Sequence, residues 1–267
     1  MNNKEIENYD KEFDFFYGND PIIATAIHDG HKIREEVMKS FSIDESSRLR
    51  EEDPFTGQWT SVANNRIIVR TSRFEMDLNR SREKAVYIKP EDAWGLNIWK
   101  KSPGTDVVNR SLAKYDSFYS EVYEIFMDLK RRFGKFVVFD LHSYNHRREG
   151  PDVQPADPTL NPEVNIGTGT MDRKRWERVI DRFIKDLSDY DYLGRKLDVR
   201  ENIKFFGGQF PKWIHEHFPE SACVLSVEFK KFFMDEWSGT ADEEQIKTIA
   251  RALGHTVPGV LAELKRS

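Results

Sequence analysis

Three short apolar runs in this chain each stop at a residue that binds metals or carries protons. Ile22 to Ile27 breaks off at His28-Asp29-Gly30-His31, Phe136 to Phe139 runs into Asp140-Leu141-His142-Ser143, and Ala222 to Val227 ends at Glu228. Runs of this kind, short, rich in β-branched residues and free of charge, are the pattern of strands buried within a sheet. Each therefore delivers a metal ligand or an acid-base group to the C-terminal end of a core strand. Ile67 to Arg70 is a fourth strand candidate.

Helices are predicted between these strands. Leu112, Tyr115, Tyr119, Val122, Phe126, Leu129 and Phe133 recur at helical spacing over Ser111 to Phe133, and Gly134 supplies a stop. Trp176, Val179, Ile180, Phe183 and Leu187 share a face over Arg173 to Leu187, and a further helix is expected from Asp242 to Leu264. Alternating helices and strands favour a layered α/β/α sheet whose active site lies beyond the carboxyl ends of its strands. The stretch from Glu149 to Pro162 holds Pro151, Pro155, Pro158 and Pro162 and has no apolar period, so it reads as an irregular loop following the His142 strand. No internal repeat or linker divides the chain, and residues 1–267 are read as one domain.

Composition narrows the function. Hydrophobic residues at 38% and charged residues at 33% describe a folded protein with a heavily charged surface rather than a disordered chain. The formal net charge of -5 gives no reason to expect a nucleic-acid partner. No uncharged run approaches the roughly 20 residues needed to cross a bilayer, so no membrane partner is expected. Cys223, the 1 cysteine, has no intramolecular disulfide partner, and Met1 to Glu5 lacks the apolar segment of a secretory signal; both fit a cytoplasmic protein.

Two histidines and a carboxylate are a common catalytic zinc set, because mixed nitrogen and oxygen ligands suit the ion and leave a position for water. His28 and His142 supply the nitrogens. The acid lies in the triplet Glu51-Glu52-Asp53, whose consecutive side chains do not all point at one ion; Glu52 or Asp53 is the choice, with His31 as the competing ligand. Arg73 and the run Asp77-Leu78-Asn79-Arg80 concentrate planar cationic forks and an amide, the groups that fix a carboxylate by paired hydrogen bonds. Glu228 follows a buried strand, where desolvation raises its pKa and suits it to take a proton from water and pass it to a leaving nitrogen; the plainer alternative is a glutamate paired to Lys230 or Lys231. Asn165 to Thr168 and Phe205 to Gln209 read as glycine-assisted turns. Cys223 sits within an apolar run, where a thiol is inert.

The order of these segments resembles the N-formylglutamate amidohydrolase family. The family pattern is a strand ending in His-x-Gly, an acidic segment, Ser-Arg-x-x-x-Asp-Leu-Asn-Arg, a strand ending in His-Ser, Asn-Ile-Gly-Thr, Gly-Gly, and a late Glu followed by an aromatic residue with Met-Asp-Glu. Here these are His28-Asp29-Gly30, Arg50 to Pro54, Ser72 to Arg80, Asp140 to Ser143, Asn165 to Thr168, Gly207-Gly208, and Glu228 with Phe233 to Glu236. Each is weak alone, and together they run in order from about Pro21 to Glu236.

The resemblance implies a phosphorylase/hydrolase-like three-layer α/β/α sandwich with a mixed central sheet, shared with the zinc carboxypeptidases. It implies one zinc ion bound by His28, His142 and Glu52 or Asp53. By the same resemblance Arg73, Asn79 and Arg80 act on the substrate carboxylate or the developing oxyanion, and Glu228 is the general base and acid. The expected substrate is a small N-acyl amino acid or short peptide. Tyr144, His146, Arg147 and Arg148 are more polar than the family pattern leads one to expect, which marks Tyr144 and Arg147 as substrate-binding candidates that set specificity. A zinc carboxypeptidase or amidase, or a binding protein on the same fold, is the alternative reading.

Overall fold

Along a strand, successive side chains fall to opposite faces, and the central strands of this chain use both. The computed structural model describes residues 12–267, so the Met1 to Glu5 segment read above for a leader lies outside the described residues. The strands are β1 (Phe13–Phe16), β2 (Ile22–Ala26), β3 (Asn65–Val69), β4 (Phe136–Tyr144), β5 (Val164–Gly167), β6 (Val199–Glu201) and β7 (Ala222–Lys230). The helices are α1 (Glu35–Ser40), α2 (Glu45–Glu51), α3 (Thr56–Trp59), α4 (Thr105–Phe133), α5 (Glu177–Asp189), α6 (Gln209–His217) and α7 (Glu243–Leu264). Ile23, Val138 and Val224 pack beneath α4 and α6, whereas Ala24, Phe139 and Leu225 pack beneath α5 and α7.

The sheet order is β1-β3-β2-β4-β7-β5-β6. β3, β2, β4 and β7 run parallel to their neighbours, while β1 and the β5–β6 pair are antiparallel additions at β3 and β7. The fold is thus a three-layer α/β/α sandwich, as the alternation of apolar runs and helical periods implied, around the mixed sheet that the family resemblance implied. Among the described residues, no helix is long and apolar enough to cross a membrane.

Several element boundaries differ from the expected ones. β4 and β7 do not stop at Asp140 and Glu228: their parallel ladder continues to Tyr144 opposite Lys230. Polar side chains end an apolar run, but they do not end backbone pairing when a neighbouring strand still offers partners. His142 and Glu228 consequently lie inside adjacent strands, directly in register. Asn165 to Gly167 is not a turn but part of β5, which pairs antiparallel with β7 and places Asn165 opposite Glu228. A four-residue strand carries too little periodicity to be read in advance.

Helix α4 begins at Thr105, earlier than the apolar stripe, because its first turns are solvent-facing; it ends at Gly134, whose φ of 76° is left-handed backbone that glycine tolerates. α5 begins four residues later than expected from Arg173, with Trp176 as its N-cap position. Asp242 caps α7 by accepting from the amides of Glu244 and Gln245. The proline-rich stretch after β4 holds no helix or strand before β5.

Candidate metal centre and active site

In β4 and β7 the even-numbered residues face the α4/α6 side, so Asp140, His142 and Glu228 extend the row begun by Val138 and Val224. His28 lies just past the end of β2. Its carbonyl accepts from the amide of Asp53 at 3.0 Å, which draws the exit of α2 over the same strand ends. One backbone bond thereby brings a ligand from a distant part of the chain to the sheet.

The ligand atoms of His28, Asp53 and His142 all lie within 4.8 Å of one another, and all three residues are buried. Asp53 Oδ2 is 3.4 Å from His28 Nδ1 and 3.0 Å from His142 Nδ1. A tetrahedral ion with bonds of roughly 2.0–2.1 Å holds its ligands about 3.3 Å apart, and the two carboxylate–imidazole spacings lie close to that. His28 Nδ1 is buried and has no hydrogen-bond partner. A buried nitrogen lone pair without a donor, aimed at a carboxylate, fits a ligand position better than a structural histidine.

The remote nitrogens of both rings face carboxylates. His28 Nε2 lies 2.8 Å from Asp77 Oδ1, and His142 Nε2 lies 3.0 Å from Asp140 Oδ2 in an off-axis contact. Asp140 is itself fixed by Thr25 Oγ1, which donates to its Oδ1 at 2.9 Å. A carboxylate behind each imidazole selects the tautomer whose other nitrogen is free to bind a cation. Asp53, Asp77, Asp140 and Glu228 surround the two rings, so the donor set carries an excess of negative charge that suits a divalent cation. Burial disfavours a charged His142, yet Asp140 and then Glu228 raise its pKa well above the ordinary value. Burial likewise works against ionised Asp53, but the hydrogen bond with His142 and the closeness of His28 hold its carboxyl far below the usual range.

Glu228 sits beside His142 on the neighbouring strand and is not a metal-cluster member. Burial pushes its pKa up to about 7, with Asp53 and Asp140 adding to the rise and His142 and Arg73 opposing it. Neither neighbouring lysine pairs with it: Lys230 Nζ donates to the carbonyl of Asn161, and Lys231 Nζ to those of Arg50 and Glu52. A carboxyl that titrates near neutrality both accepts and returns a proton, which is what a combined base and acid requires.

The other candidates divide clearly. Glu52 follows the end of α2 on extended backbone, at ψ 170°, which sends its side chain and that of Asp53 to opposite sides. Asp53 joins the cluster, whereas Glu52 turns to His31 and Ser72. His31 is occupied with Glu52, Glu45 and Arg48 and stays outside the cluster. Arg73 is placed behind Asp77: it donates to Tyr87 Oη at 3.2 Å, the Glu51 carbonyl at 3.2 Å and Asp77 Oδ2 at 2.8 Å. Asn79 Oδ1 accepts from the Phe210 amide at the start of α6. It abuts Gly208, where a Cβ would stand 2.1 Å from that oxygen. Arg80 remains 43% exposed, with Asp77 3.8 Å away.

Tyr144 is buried, its hydroxyl bonded to the Pro162 carbonyl. Arg147 is held through its backbone, the amide donating to Glu236 and the carbonyl accepting from Trp237 Nε1. Arg148 pairs with Glu51 at 2.8 Å and lies over Trp94. Sequence reading gave no role to Asp77 or Asp140, and offered Lys231 only as the alternative ion-pair partner of Glu228. The first two were visible within motifs, but nothing in a linear pattern reveals which ring nitrogen an acid will face.

The family model for N-formylglutamate amidohydrolase matches residues 20–232, a span that includes His28, Asp53, His142 and Glu228. Among solved structures, that of N-formylglutamate amidohydrolase from Ralstonia eutropha superposes with a TM-score of 0.76 at 15% identity, covering 96% of this chain and 99% of that one. A gene product from Agrobacterium tumefaciens superposes with a TM-score of 0.68 at 17% identity, covering 96% of each chain. No curated protein matches in sequence. The superpositions establish the fold, and the sequence match over most of the length establishes the kinship: this chain belongs to the N-formylglutamate amidohydrolase family.

Proposed function

We propose that this protein is a zinc-dependent hydrolase that cleaves the amide bond of an N-acyl amino acid such as N-formylglutamate, in the cytoplasm. The observation that carries this reading is the buried set of His28, Asp53 and His142 backed by Asp77 and Asp140, with Glu228 in register beside His142. A zinc ion held there supplies acidity to a water and polarises the scissile carbonyl. Glu228 takes the proton of the attacking water and returns it to the departing amine nitrogen, and its pKa of about 7 suits both halves of that transfer. Arg80, the arginine of its group left half-exposed, is assigned to the substrate carboxylate. Arg73, whose nitrogens are already engaged, is assigned to holding Asp77 behind His28.

Elemental analysis of the tag-free wild type and of His142→Ala tests this reading. About one zinc per chain in the wild type, lost in the variant, together with hydrolysis of N-formyl amino acids by the wild type, is the expected result. A wild type that neither retains nor takes up a divalent metal would refute it.

A further inference from the structure

We propose that Lys231 is a positioning residue of the metal centre: its ammonium, one residue beyond the end of β7, donates to the carbonyls of Arg50 and Glu52 and so sets where the backbone presents Asp53. The inference rests on the metal-dependent reading above. Lys231 is 1% exposed, and its Nζ lies 2.5 Å from the Arg50 carbonyl and 2.7 Å from that of Glu52. Burying an ammonium is costly unless strong acceptors meet it, and among the described residues no carboxylate comes within ion-pair distance of this one. The acceptors are instead carbonyls at the C-terminal end of α2, which have no partner within the helix and carry its negative dipole end.

The backbone leaving α2 is therefore held on two sides. The Asp53 amide bonds the His28 carbonyl at 3.0 Å, and Lys231 grips the carbonyls on either side of Glu51. The Lys231 amide in turn donates to the Tyr144 carbonyl at 3.0 Å, two residues past His142. Lys231 thus links the segment that delivers Asp53 to the two strands that carry His142 and Glu228. A residue that merely filled space would not need a charge here. One that fixes the distance between a ligand segment and the strands does, because charge-assisted bonds are short and directional.

The test is zinc affinity of the full chain, measured by competition with a chromophoric chelator, for wild type, Lys231→Met and Lys231→Arg. Leu129→Ala, at a buried core position of α4 outside the ligand cluster, serves as a control destabilised without touching the site. Lys231→Met should bind zinc 10- to 100-fold more weakly, the range for loss of outer-shell support; Lys231→Arg should fall between it and wild type, and Leu129→Ala should bind as wild type does. A merely structural Lys231 would lower the melting temperature of the metal-free protein and leave zinc affinity unchanged, and that result would overturn the proposal. If Lys231→Met does not fold, Lys231→Gln decides in the same way: weakened affinity supports the role, and wild-type affinity overturns it. A wild type that binds no zinc defeats the metal-dependent reading itself, which needs no variant to see.

Discussion

Replacing Asp77 with asparagine keeps the shape of the side chain and removes a charge on which three neighbours depend. Asp77 is fully buried; His28 Nε2 lies 2.8 Å from one oxygen, and Arg73 Nη2 lies 2.8 Å from the other, which also accepts from the Tyr87 hydroxyl. Two separable losses follow. His28 loses the anion that selects its tautomer, and outer-shell losses of this kind weaken metal binding by about 10- to 100-fold, or about 1.4–2.7 kcal/mol. Arg73, whose side chain is 12% exposed, loses its counter-charge, and breaking such a pair from one side costs about 3–5 kcal/mol of stability. The lower end is expected, because Arg73 retains the Glu51 carbonyl and Tyr87. Chemical denaturation of the metal-free protein measures the second effect, and chelator competition measures the first. In the double variant Arg73→Met/Asp77→Asn the orphaned charge is gone, so most of the stability should return while zinc affinity stays low. Wild-type zinc affinity in Asp77→Asn would refute the argument that Asp77 orients His28.

Glu228→Gln should retain zinc and lose turnover by about 10²- to 10⁴-fold; near-normal turnover would remove Glu228 from the mechanism. His215 gives a pH signature of stability remote from the metal: burial depresses its pKa to about 4, and its ring accepts from the Val224 amide at 3.2 Å, which requires the neutral form. The unfolded chain, with an ordinary histidine pKa of about 6.5, takes up a proton that the folded chain refuses. This contribution is complete above pH 6.5, falls as the pH drops toward 4, and amounts to about 3 kcal/mol. Urea melts between pH 7 and pH 4.5 on wild type and His215→Gln check it; an identical acid decline in both would refute the assignment.

Much of the architecture was legible because the buried parallel strands open with uncharged runs rich in apolar residues. Ile22 to Ile27, Phe136 to Phe139 and Ala222 to Val227 announced β2, β4 and β7, and their polar endings announced His28, His142 and Glu228. Where strands are short or marginal the signal failed. Asn165 to Gly167 reads as a turn because it contains a glycine, yet that glycine is there because a Cβ would meet the Gly207 amide at 2.7 Å. The ends of β4 and β7 were also hidden, since hydrophobicity marks burial whereas strand length follows from what the neighbouring strand can pair.

Periodicity and local residue type alone therefore carry the layer order of the fold, the family, and which strand ends bear chemical groups. Tertiary structure decided the rest. It separated Asp53 from Glu52 through the extended exit of α2, drew Arg73 back to brace Asp77, and set Asp140 behind His142. It also brought Lys231 to the carbonyls flanking Glu51. Each of these outcomes depends on which side chain meets which across long stretches of chain, and such distances arise only when the strands align and the loops close over their ends.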